Sequence, residues 1–263
     1  SFILHGGDVV QTSQYLHQWQ MMLNGNEDYL AQYPVMFATG NHDASNDTAG
    51  KYEIYKHMTF ELPEPNSKKS YGTYYSFDYG DVHFVCLDTC YGDAIRTPNV
   101  DSEQKAWLQE DLKNTTKKWK IVMMHVPVVS YKNINSSSIT RLFAENGVDL
   151  VLQGDEHVYL RSYPINDRNK PVADSTIKTV DGVDYYVNPT GAIYIQAATA
   201  GDSETKVNAT TVKPENLAIS GNGRQSSWAN ISIKGNMLTM RTCYYNNGNV
   251  QTYADGLWGI IKE

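Results

Sequence analysis

The chain has 263 residues, 41% of them apolar and 19% charged, which is length and hydrophobicity enough for a full core in one large domain. Its net charge is −7 and no basic tail or Lys/Arg stripe is visible, so binding of nucleic acid through the phosphate backbone is not expected. No apolar run approaches the roughly 20 residues of a transmembrane helix, so no membrane partner is expected either.

Phe2-Ile3-Leu4 reads as a short apolar strand that stops at Gly6-Gly7-Asp8. No basic region precedes a long apolar stretch here, so this start does not read as a signal peptide, and the numbering is expected to begin inside a longer protein. Tyr15, Leu16, Trp19, Met22 and Leu23 recur at helical spacing. Val35-Met36-Phe37-Ala38 is a second apolar strand, stopping at Gly40-Asn41-His42-Asp43. Thr73 to Asp78 and Val82 to Asp88 read as two antiparallel strands around an Asp78-Tyr79-Gly80-Asp81 turn. Asp101 is placed to cap a helix, with Gln104 at the third position beyond it and Trp107, Leu108 and Leu112 as the apolar stripe. Ile121 to Met124 is a buried strand running into His125-Val126-Pro127. After a short helix over Ile139 to Ala144, the strand Val148 to Leu152 stops at Gly154-Asp155-Glu156-His157. Short apolar strands alternating with helices imply a covered sheet.

From Tyr185 onward the pattern is strands and turns, at Tyr185 to Val187, Ala192 to Ala197, Ser227 to Ile233 and Met237 to Arg241. The reading is one domain over 1–263, with a motif-bearing α/β half over 1–164 and a strand-rich closing half over 165–263. Cys86, Cys90 and Cys243 do not make a disulfide framework; one bridge plus one free thiol is allowed. Asn-x-Ser/Thr sequons at Asn46, Asn114, Asn135, Asn208 and Asn230 allow export, and an extracellular or secreted location is the expectation.

Four polar clusters thus sit where apolar strands stop, at Asp8, at Asn41 to Asp43, at His125 and at Asp155 to His157. In α/β folds ligands bind outside the carboxyl ends of strands. Carboxylates, an amide oxygen and imidazoles in one crevice suit Zn, Mn or Fe better than a thiolate-loving metal. The adjacent glycines let the backbone turn so that the ligand side chains face inward. An acidic surface does not exclude an anionic substrate, because bound metal ions reverse the local field. Taken singly each cluster has a bland reading, Gly-Asp as a turn and His125 as a packed loop histidine; their order and positions argue for a site.

These four motifs make the chain resemble the calcineurin-like metallophosphoesterase superfamily, and most of all its purple-acid-phosphatase-like branch. The likeness also takes in the strand from Phe2 to Asp8, the helix around Trp107-Leu108, the segment His157 to Pro164 and the terminal strands from Tyr244. It implies the two-sheet α/β/β/α sandwich of the metallophosphoesterase type, with its first strand in question. It implies two divalent or mixed-valence metal ions (Zn, Mn or Fe) bridged by Asp8, with Asn41 and His125 on the second ion and His157 on the first. His42 would be the catalytic histidine near the substrate phosphate, oriented by Asp43.

Three departures from the family pattern matter. The family's first motif is an Asp-bearing strand upstream of the Gly-Asp motif, and no Asp precedes Gly7; an upstream segment or a second chain would complete the sheet. Purple enzymes carry a tyrosine where this chain has Gln11, so the protein should not be purple. Asp155 stands where the family has a histidine on the second metal, and a carboxylate there is either a ligand or the mark of a weakened site.

The function implied is hydrolysis of phosphate monoesters by a dinuclear site using a metal-bound hydroxide, on a small phosphorylated substrate. The alternative is a catalytically impaired phosphatase-like domain that binds a ligand or partner. Tyr52, Tyr55, Tyr91 and Tyr131 lie in loops expected to govern specificity. No His-Glu-x-x-His or Gly-x-Ser-x-Gly motif appears, which disfavours a zinc peptidase or a serine hydrolase.

Overall fold

The computed structural model describes residues 1–44, 53–59, 73–90, 97–201, 217–222 and 226–263. The chain divides into two compact units, Ser1–Pro127 with Leu152–Asp155, and Val128–Val151 with Glu156–Glu263.

The first unit begins with β1 (Ile3–His5), which pairs in parallel with β2 (Val35–Phe37), Ile3 opposite Val35 and His5 opposite Phe37. Parallel strands need a crossover, supplied here by α1 (Leu16–Gly25) and the single turn α2 (Glu27–Leu30). Only Trp19 of α1 is buried. Its indole donates to the Ser13 carbonyl at 2.9 Å, and its ring packs with Val10, Phe37, Ala44, Tyr55, Cys90 and Val126. Two further short helices follow β2, α3 (Asn41–Ala44) and α4 (Glu53–Met58).

The antiparallel hairpin appears as expected. β3 (Tyr75–Tyr79) meets β4 (Val82–Cys86) through a turn in which Gly80 takes φ +59°. β4 runs parallel to β5 (Trp119–Met123) along its other edge, and all five of its residues are buried. The helix α5 (Ser102–Asn114) starts where Asp101 Oδ1 accepts the Gln104 backbone N–H at 2.7 Å. The Gln104 side chain does not return to that cap. It pairs with the backbone of Asp88, donating to its carbonyl at 2.9 Å and accepting its N–H at 3.0 Å. The strand β6 (Leu150–Gln153) is shared by the two units, and its end lies beside the exit of β5, with Met124 N–H on the Leu152 carbonyl and Gly154 N–H on that of His125.

The second unit contains α6 (Ser137–Glu145) and β7 (Val158–Ser162), which pairs antiparallel with both β10 (Ile193–Ala197) and β11 (Leu217–Asn222). Its other sheet has the order β12 (Ser227–Lys234), β13 (Met237–Asn246), β14 (Asn249–Ile261), β9 (Val183–Val187), β8 (Ile177–Val180). Every pairing in it is antiparallel except β14 with β9. Lys262 closes the unit by reaching Asp149 at 2.7 Å.

The three cysteines are all buried and free, so the allowed disulfide is not formed. Burial pushes the Cys86 thiol up to about 12, which keeps it a neutral core residue. Asn114 and Asn230 are exposed, Asn135 is half-buried, and Asn46 and Asn208 lie outside the described residues. Among the described residues no helix is long and apolar enough to cross a membrane.

The Trp19 packing generates a stability prediction. Trp19→Ala should cost about 3–5 kcal/mol in urea unfolding, the range for removing a large aromatic from a closed core; a loss under about 1 kcal/mol would mean that α1 does not anchor the first unit.

Candidate metal centre

Asp8, Asn41, His42, Asp43, His125 and Asp155 all belong to the first unit, at the exits of β1, β2, β5 and β6. Asp8 and Asp155 have left-handed backbones, with φ 52° and 69°, although neither is glycine. Such conformations cost on the order of 1–3 kcal/mol each and persist where the surroundings over-determine them. His157 shares the feature, with φ 47°, and lies in the second unit just ahead of β7.

The motif glycines show what holds these turns. Gly7 has φ +93°, and a Cβ there would fall 2.6 Å from His125 Nδ1. At Gly40 a Cβ would land on the backbone nitrogen and Oδ1 of Asp8. At Gly154 it would come within 2.8 Å of both the Gly6 carbonyl and His125 Nδ1. These approaches are closer than a side chain tolerates, so three strand exits converge on His125 and Asp8 only because they end in glycine.

His125 is the hub, with its side chain 2% exposed. Nδ1 lies 2.7 Å from the Gly6 carbonyl, which can only accept, so Nδ1 carries a proton. The other nitrogen, Nε2, faces three oxygens: Asp8 Oδ2 at 3.1 Å, Asn41 Oδ1 at 3.1 Å and Asp155 Oδ1 at 3.7 Å. A neutral ring would turn its lone pair on those oxygens and be repelled. A positive species therefore belongs between them, a second ring proton or a cation. Burial alone would lower the His125 pKa, but the Asp8 hydrogen bond and charge, the Gly6 carbonyl and Asp155 outweigh it and raise it to about 8. At Asp8, burial raises the carboxyl, yet His125 and the His42 backbone N–H hold it below the usual carboxylate range.

Asp43 accepts backbone N–H groups. Its Oδ2 accepts the Gly40 N–H at 2.9 Å, and its Oδ1 accepts those of Val9 at 2.9 Å and Val10 at 3.4 Å, so it ties the Asp8 turn to the Gly40 turn. Complete burial, opposed by the Gly40 N–H and reinforced by the Asp8 charge, brings its pKa to about 7. The His42 ring is held by Gln11. Its Nδ1 lies 2.8 Å from the Gln11 carbonyl and 2.9 Å from the Gln11 side-chain amide. The backbone N–H of His42 donates to Asp8 Oδ1 at 2.9 Å.

Two neighbours were not singled out from sequence. His5 is close enough to His125 and Asp8 to feel their charges; burial first, then His125, lowers its pKa to about 4, and its Nδ1 is buried without a hydrogen-bond partner. Thr89 Oγ1 accepts the Val126 N–H at 2.9 Å and so steadies the turn after His125. A polar and apolar pattern carries no signal for either contact.

Among the described residues, no group of three or more His, Cys, Asp and Glu side chains is placed so that it could hold a metal ion. The donors here bond to one another, and the fourth is the Asn41 amide. Carboxylate and amide oxygens and an imidazole nitrogen are nonetheless donor types that a divalent cation takes. Donors about 2.0–2.1 Å from a tetrahedral ion sit about 3.3–3.4 Å apart, and the three separations from Nε2, 3.1, 3.1 and 3.7 Å, bracket that value. Of the loop tyrosines, Tyr55 is buried in the core cluster and Tyr131 packs on Val158, Leu160 and Leu217, so both serve packing. Tyr52 and Tyr91 lie outside the described residues.

Comparison with known proteins bears on the family and the fold. The family model described as calcineurin-like phosphoesterase matches residues 1–159. An uncharacterised protein of Mycobacterium tuberculosis is 31% identical over 170 residues, covering 57% of this chain and 32% of its own length. Purple acid phosphatase 18 of Arabidopsis thaliana is 27% identical over 188 residues, covering 67% of this chain and 42% of its own. The solved structure of a purple acid phosphatase from yellow lupin (Lupinus luteus) seeds is similar over 100% of this chain and 47% of its own, with TM-score 0.69 and 18% identity. That likeness shows the fold, the metallophosphoesterase α/β class with two mixed sheets. The chain spans less than half the length of these relatives.

If close glycine contacts set the centre, Gly40→Ala should destabilise the protein by about 1–3 kcal/mol in urea unfolding, the usual cost of forcing a methyl group into filled space. Gly25→Ala, where a Cβ meets nothing within 4 Å, should be nearly silent. Equal effects at the two positions would show that the Asp8 turn has room to move.

Proposed function

This chain belongs to the calcineurin-like phosphoesterase family, and we propose that its first unit takes up one divalent cation through Asp8, Asn41, His125 and Asp155 and thereby binds a small phosphorylated ligand. The observation that carries this reading is the ring of His125. One nitrogen already donates to a carbonyl, and the other faces three oxygens that need a positive charge among them. When bound, the cation supplies a Lewis acid for phosphoryl oxygens. Gly6, through its carbonyl, orients the ring that receives the ion. Asp43 keeps the turns bearing Asp8 and Asn41 in register. His42, its ring held by Gln11 and its N–H on Asp8, is the side chain offered to the phosphoryl group.

Asp155 argues for binding over fast turnover. A divalent ion carrying two carboxylates, Asp8 and Asp155, has no net charge left. With a histidine at the second position it would keep one positive charge. The power of the centre to polarise a phosphoryl group falls accordingly. The reading is therefore a phosphatase-like domain with weak or absent turnover. A second reading, hydrolysis of phosphate monoesters by a two-ion centre, draws support from the left-handed backbones at Asp8, Asp155 and His157, since strain of that kind clusters at functional sites.

Calorimetric titration of metal-free protein with Mn²⁺ or Zn²⁺ tests both readings. The first predicts about one equivalent, at least tenfold weaker binding in Asp155→Ala, on the order of what even outer-sphere changes do to metal sites, and retention of p-nitrophenyl phosphate without appreciable release of nitrophenol. Two equivalents with steady hydrolysis would move the second reading to the front. No cation uptake by the folded protein would sink both.

A further inference from the structure

At the start of β4, away from the strand exits that carry the metal-type ligands, His83 is enclosed between two carboxylates. Its Nδ1 lies 2.8 Å from Asp78 Oδ1 on β3, and its Nε2 lies 2.8 Å from Asp111 Oδ2 on α5. Asp111 Oδ1 accepts the Ser76 hydroxyl at 2.8 Å. Lys117, in the loop after α5, stands 3.7 Å from Asp78 Oδ2 and donates to the Gly80 carbonyl at 2.8 Å. The partner of His83 on β5 is Lys120, whose ammonium is engaged by the Leu112 carbonyl. A surface cavity of about 490 Å³, lined by Ser76, Asp78, His83, Asp111, Asn114, Thr115 and Thr116, opens beside the ring.

Carboxylate oxygens only accept hydrogen bonds. Both contacts are made at once only by the imidazolium, which has two N–H groups. Burial opposes that charge, but the hydrogen bonds and charges of Asp111 and Asp78 outweigh it and raise the His83 pKa above its ordinary value. We propose that Asp78, His83 and Asp111 form a proton-dependent latch, which fastens the edge strand β3 and the helix α5 to β4 in acid and frees the Asp78 arm as the solution becomes alkaline. The order of release follows from exposure. The Asp78 side chain is 49% exposed and has Lys117 and water as alternative partners, whereas that of Asp111 is 18% exposed and keeps Ser76. The remaining ring proton therefore stays on Nε2, where it makes a weaker, uncharged-donor bond to Asp111.

The pH window follows from the raised pKa. The contribution of the latch is complete below the unfolded value of about 6.5 and is lost as pH rises through the folded value. Urea unfolding of the protein and of His83→Gln should be compared between pH 5.5 and 8.5. The ratio of their folding constants should be larger at the acid end, by about tenfold for each unit of pKa elevation. Asp78→Asn should show a shallower pH slope than the unaltered protein. Nitrogen-resolved NMR of the unaltered protein gives a reading that no variant can spoil. It should show two ring N–H groups on His83 in acid and Nε2–H alone in alkali. A flat ratio, an unchanged slope in Asp78→Asn, or retention of Nδ1–H in alkali would overturn the latch.

Discussion

The first unit is organised around a commitment made by one ring. His125 gives its Nδ1 proton to the Gly6 carbonyl and thereby presents Nε2 to Asp8, Asn41 and Asp155. Most of the neighbouring structure enforces that orientation. The glycines at 7, 40 and 154 allow three strand exits to approach the ring and the Asp8 turn. Thr89 fixes the turn beyond it. Behind it, Met123 packs with Ala38, Tyr75 and Cys86, while Val126 joins the Trp19 cluster. The left-handed turns at Asp8 and Asp155 are costly by themselves, and this surrounding contact holds them in place.

Charge then decides what such a centre can do. Asp8 is held as a carboxylate by His125 and by the His42 backbone, and Asp155 adds a second negative group to the same nitrogen. Neutralising both with one divalent ion would leave the centre less able to polarise a phosphoryl group. On the proposed reading such a centre would hydrolyse a phosphorylated ligand slowly or not at all. The family supplies the phosphoesterase scaffold.

Much of this was legible in the sequence, and the reasons differ from residue to residue. Asp8, Asn41 and Asp155 stood out because short apolar runs end at glycine just before them, and His125 because an apolar run ends at it ahead of Pro127; both patterns mark strand exits. Asp101 was readable as a cap, since its bond to Gln104 is local. The work of Asp43 was not, because its partners Val9 and Val10 lie more than thirty residues away and are backbone groups with no sequence signature. Gln11 was visible only as a missing tyrosine; its hold on His42 depends on two turns meeting in space. β14 runs thirteen residues to Ile261, yet its first part, Asn249 to Asp255, is polar and largely exposed, so periodicity gave little sign of it there. His83 read as an ordinary strand residue, since Asp111 arrives from a helix far along the chain.

The central claim is that one cation sits at His125 Nε2. X-ray absorption spectroscopy of the zinc-loaded protein measures it most directly. The account predicts a single zinc environment with one imidazole nitrogen, oxygen donors at about 2.0–2.2 Å and no sulfur. Loss of the imidazole signal in His125→Gln would complete the assignment. A second zinc scatterer at about 3.5–4 Å, or a nitrogen-rich shell unchanged in that variant, would contradict it.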